Sequence, residues 1–158
     1  MGACYLVNVK ARIKDKQKFV EDSKKVILGD GSHWRNDLKD EIKNMKTVND
    51  VMRFMLAAHQ NMARYSTDQD GFTMYTSAFD ASYSWESVLD EWFLGIGSDL
   101  ADGSYILVNG DAETWKDSVV NGKAITVKRN RTRFENFFND EYCASFGKKK
   151  LTILVNKL

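Results

Sequence analysis

A chain of 158 residues, 43% of them hydrophobic, has the length of one domain and enough apolar content to bury a core without a disulfide or metal staple. No run of about 18 apolar residues occurs, which excludes a membrane-spanning helix, and the absence of proline excludes a Pro-rich linker. The net charge of +1 conceals a segregation, because residues 1–60 carry 12 Lys/Arg against 8 Asp/Glu, residues 61–118 carry 2 against 11, and residues 119–158 carry 9 against 3.

Residues 4–14 alternate as a strand, with Tyr5, Val7, Val9, Ala11 and Ile13 on one face. Asp15 can cap a helix to Leu28, whose Phe19, Val20, Val26 and Ile27 have helical spacing. Gly29-Asp30-Gly31-Ser32 breaks it. A short helix with Leu38, Ile42 and Met45 inward follows. Thr47-Val48-Asn49-Asp50 is a capping box with Asp in place of Glu, opening a helix that buries Val51, Phe54, Met55, Ala58 and Met62. Tyr65 to Gly71 reads as a polar connection. Phe72 to Phe79 reads as a strand with Phe72, Met74, Thr76 and Ala78 on one face.

The clearest helical pattern runs over 83–101, where Trp85, Val88, Leu89, Trp92, Phe93, Ile96 and Leu100 form one stripe that Asp102-Gly103 terminates. Tyr105 to Val108 is a strand. Asn109-Gly110 and Asn121-Gly122 are hairpin dipeptides, the second flanked by Ser118–Val120 and Ala124–Val127. Thr132-Arg133-Phe134-Glu135 is a capping box for a helix to about Ala144, and Leu151, Ile153 and Val155 alternate in a last strand. The expected order is βαααβαβββαβ. It describes a single α+β domain spanning 1–158, with a mixed or antiparallel sheet and helices packed against it.

Chemistry-bearing motifs are sparse. His33 and His59 are the only histidines, and neither stands at metal-ligand spacing from another His or from Cys4 or Cys143. The cysteines are expected to be two buried free thiols. Residues 66–71 echo an EF-hand loop, but position twelve would be Ser77 rather than Glu. Gly95-Ile96-Gly97-Ser98 lies late in a helix and lacks the Gly-Lys-Ser/Thr of a phosphate loop. No cofactor and no metal are expected.

Charge is then what remains. Asp80, Glu86, Asp90 and Glu91 form an acidic group, and they define the leading expectation. This is a non-catalytic binding protein, an inhibitor or regulator of a basic, nucleic-acid-binding protein partner. The contact surface of that partner would be basic. One alternative is nucleic-acid binding through Lys128, Arg129, Arg131, Arg133, Lys148, Lys149 and Lys150. Another is a carboxylate-based hydrolase using Glu86 and Asp90, which share a helix face at i, i+4. The first residues, MGACYLVNVKARIK, place no basic segment before an apolar one, so no secretory signal is expected and the location read from the sequence is cytoplasmic.

Overall fold

A computed structural model describes residues 3–29, 38–56, 64–67, 69–81, 85–110 and 113–131. The expected helix at 132–144 and strand at 151–155 lie outside these residues, as do Ala58 and Met62. The fold is α+β. Six strands, β1 (Ala3–Ala11), β2 (Arg64–Thr67), β3 (Thr73–Ala81), β4 (Tyr105–Gly110), β5 (Glu113–Val120) and β6 (Lys123–Arg131), form one sheet of order β2-β3-β1-β4-β5-β6. Every pairing is antiparallel, so the sheet is antiparallel rather than mixed.

The alternation of β1 decides which face is the core. Tyr5, Val7 and Val9 join Phe79, Ile106, Val108, Trp115 and Val119 in the main apolar cluster beneath the helices. Leu6, Ala78 and Leu107 form a smaller cluster on the opposite face. Phe72, Met74, Thr76 and Ala78 share a face as expected, and it is the one turned away from the helices.

Helix α1 (Lys16–Leu28) begins at Asp15, whose carboxylate accepts from the Lys18 amide. It buries Phe19, Val20, Ser23 and Ile27. Helix α2 (Lys39–Asn44) buries Ile42, and Met45 after it is also buried. Helix α3 (Val48–Met55) carries the complete capping box. Asp50 donates its amide to the Thr47 hydroxyl and accepts from the Thr47 amide at 2.9 Å. Aspartate thus replaces glutamate in this box, and its shorter reach takes the Lys46 amide as well, at 2.8 Å.

Helix α4 (Trp85–Gly95) is shorter than the 83–101 pattern, giving way to a 3₁₀ turn at Gly97–Asp99. The apolar stripe still runs through both pieces, with Val88, Leu89, Trp92, Phe93, Ile96 and Leu100 all buried. The chain tightens because Gly97 lies against β6. A Cβ there would stand 2.5 Å from the Ala124 nitrogen, so only glycine allows the approach.

Three sequence readings are corrected. The polar stretch 65–71 contains most of β2, a strand without apolar alternation that is held by its ladder to β3. Asn109-Gly110 is not a turn but the end of β4, since Asn109 pairs with Thr114 and accepts from its hydroxyl at 2.8 Å. Cys4 is disulfide-bonded rather than a free thiol; Cys143 lies outside the described residues. The second hairpin forms as read. Asn121 and Gly122 have φ of 53° and 78°, the pattern of a type I′ turn, and the Asp102 carboxylate accepts from both of their amides.

Candidate functional site

The sequence singled out acidic residues on α4, and these meet β5 and β6 in an unexpected way. Strand β5 alternates Trp115, Asp117 and Val119 toward the helices, and all three are buried. Between Lys116 and Asp117 the β5–β6 register slips. Lys116 faces Lys128 and Asp117 faces Thr126, leaving Val127 as the extra residue of a bulge. The slip brings Thr126 and Arg129 to the helix side. There the Asp117 and Asp90 carboxyls lie beside each other. Burial pushes the Asp117 carboxyl up to about 7, and Asp90 adds to the rise, against the Thr126 hydroxyl and the Arg129 cation.

Arg129 closes this cluster. Its guanidinium contacts Asp90 at 3.2 Å and both Glu113 oxygens at 3.2 Å, and lies over the Trp115 ring with 5.5 Å to the centroid. A second carboxyl pair ties the turn after α4 to α1. Lys18 donates to Asp22 at 2.8 Å and to the buried Asp99 at 2.7 Å. Burial raises the Asp99 carboxyl, while the Lys18 hydrogen bond holds Asp22 below the ordinary carboxylate value.

The four acidic candidates are therefore distributed. Asp90 is engaged by Arg129 and Asp117. Glu86, half-buried in the first turn of α4, brings Oε2 to 3.3 Å from the position a Gly110 Cβ would take. Glu91 is exposed. Asp80 pairs with Cys4 near the end of β3, on the face that alternation turns away from the helices. Among the basic candidates, Lys128 and Arg129 are neighbours on β6 and so point to opposite faces, Lys128 exposed and Arg129 bound as described. Arg131 ends β6, and Arg133, Lys148, Lys149 and Lys150 lie outside the described residues. Asp117 was overlooked in the sequence, although its place between Trp115 and Val119 in an alternating strand marks it as inward-facing.

A second feature carries no sequence motif. An open cleft of about 990 Å³ lies between α1, the α2–α3 elbow and the near ends of β1 and β3. Lys16 and Lys24 line one wall from α1, and Lys43 and Lys46 line the other. Glu21 is the one acidic lining residue; it sits 3.8 Å from Lys24. Lys16, Lys43 and Lys46 are exposed and form no ion pair among the described residues. Between the walls the lining is mixed, with Ile13, Val20, Met45, Val48 and Tyr75 interleaved with Gln17, Thr47, Asn49, Thr67 and Thr73. No group of three or more His, Cys, Asp or Glu side chains that could hold a metal occurs among the described residues.

No known family model matches this chain, and no curated protein or solved structure shows significant similarity to it.

Proposed function

We propose that this is a non-catalytic binding protein working through a charged surface, and that the surface is the lysine-lined cleft, with an anion as its ligand. The observation that carries this reading is the imbalance of the cleft, with four lysines and one glutamate around a floor of mixed apolar and hydroxyl side chains. Its volume falls within the range of small-molecule sites, roughly 300–1,000 Å³. A concave wall of one charge sign raises the local concentration of oppositely charged ligands.

The acidic group supports the version with a basic protein partner less well. Asp90 is already held by Arg129, and Asp117, its carboxyl partner, is buried. Glu91 is the member of that group exposed on α4. Nucleic-acid binding gains one specific support on the helix-free face. Lys116 and Lys128 stand opposite each other there, and the Lys116 ammonium lies 4.5 Å from the Tyr105 ring centroid. The carboxylate-hydrolase alternative, with Glu86 and Asp90, has less behind it, because Asp90 is held by Arg129 at 3.2 Å. The disulfide at Cys4 favours an oxidising compartment over the cytoplasm. No described helix is long and apolar enough to cross a membrane.

Thermal shift with citrate, tripolyphosphate and heparin, at low and high salt, tests the reading. Multiply charged anions should stabilise the wild type, salt should weaken the effect, and a Lys16→Glu/Lys46→Glu variant should lose it. Equal shifts in the two proteins, or none, would remove the cleft from consideration.

A further inference from the structure

Resting on the anion-binding reading, we infer that the cleft takes a small phosphorylated molecule of the nucleotide class, with charged groups at the lysine walls and a flat or apolar body on the floor between them. The arrangement of the lining is what selects this class. Lys16 and Lys24 are eight residues apart on α1, so their positions are separated by about 12 Å along the helix. Lys43 and Lys46 belong to the opposite wall. A single small anion would meet one of these pairs and leave the other unused. A ligand that meets both is extended and carries more than one negative charge.

The floor sets the second requirement. Val20 and Met45 are buried, and Ile13, Val48 and Tyr75 are half-buried. A purely polar polyanion would strip water from part of this surface and offer nothing to replace it. A molecule with an aromatic or aliphatic body would cover it favourably. Lysine holds phosphate as a point charge. Helices α1 and α3 both begin at the cleft, through Lys16 and Gln17 and through Thr47, Val48 and Asn49, but the Asp15 and Asp50 carboxylates already cap their N-termini, so the lysines supply the positive charge.

The test compares ATP, tripolyphosphate, citrate and a single-stranded oligonucleotide by titration calorimetry on the whole chain. The wild type should bind ATP at least tenfold more tightly than tripolyphosphate and tripolyphosphate more tightly than citrate. A Tyr75→Ser variant should lose the ATP preference and keep its tripolyphosphate affinity. Should that variant fail to fold, the wild-type ratio decides by itself. Equal affinity for ATP and tripolyphosphate would overturn the inference and leave anion binding intact. A tighter affinity per phosphate for the oligonucleotide would also overturn it and assign the cleft to nucleic acid. Binding of all four probes unaltered by Lys16→Glu/Lys46→Glu would overturn both the inference and the anion-binding reading.

Discussion

Replacing Asp117 by asparagine should change how stability depends on pH. Asp117 is fully buried and its carboxyl is raised from an ordinary 3.8 to about 7 by burial and by Asp90. In the window between those values the folded chain holds a proton that the unfolded chain has released. Stability must therefore fall as pH rises from about 4 to about 7, and level off above it. At 1.36 kcal/mol per pH unit the loss approaches about 4 kcal/mol, and relaxation or water entry around the ionised pair would bring it nearer 2 kcal/mol. Asparagine keeps the shape and stays neutral across this range. Urea denaturation of wild type and Asp117→Asn should give similar stabilities near pH 4, with the variant ahead by about 2–4 kcal/mol at pH 8. Taking the difference between the two proteins cancels the contributions of Asp22, Asp50 and Asp99, which titrate in both. A difference that stays constant from pH 5 to pH 8 would show that Asp117 does not titrate in this window.

Trp92→Ala should cost about 4–6 kcal/mol in chemical denaturation. Deleting a buried large aromatic contributes about 3–5 kcal/mol, and the loss of its bond to the buried Ser23 hydroxyl, 3.0 Å long, leaves that hydroxyl unsatisfied at a further cost of about 1 kcal/mol. A cost under about 1 kcal/mol would place the stripe on the surface. Gly97→Ala should destabilise by about 1–3 kcal/mol through overpacking against Ala124, and a neutral result would mean that β6 and the 3₁₀ turn are not in contact. Cys4 should resist alkylation in the unfolded, unreduced chain and react after reduction; peptide mapping that finds it modified before reduction would refute the disulfide.

What the sequence made legible is what closes within a few residues. Asp15 bonds Lys18 three positions on, Thr47 and Asp50 complete a box over the same distance, and Asn121-Gly122 dictates its own turn. Side-chain periodicity located α1, α4 and β1 for the same reason. The losses are non-local. Strand β2 has no pattern of its own and exists because β3 supplies its hydrogen bonds. Asn109-Gly110 has turn chemistry, but the ladder between β4 and β5 extends past it. The carboxyl pair joins residues 27 apart in sequence, one on α4 and one on β5, and Arg129 reaches it because a one-residue slip re-aims β6. The cleft is less legible still, because its lysines come from separate elements and look like ordinary solvated side chains until the elements pack.

The same packing changes the meaning of the charge segregation. Eleven acidic residues between 61 and 118 suggest an acidic face offered to a partner. In the fold, several of them are turned to internal use. Asp90 and Glu113 hold Arg129 of the basic final third, Asp117 is buried beside Asp90, Asp99 takes Lys18 of the first third, and Asp102 fastens the turn at 121–122. The segments of opposite sign thus neutralise one another where α4 meets β5, β6 and α1. Lys16, Lys43 and Lys46 lie beyond that contact, lining a concave surface without an ion pair among the described residues. Charge left uncompensated at a cleft, rather than charge summed along a segment, is what a ligand in solution can sense. For that reason the uncompensated charge lies at the basic cleft between α1 and α3 rather than in the acidic middle of the chain.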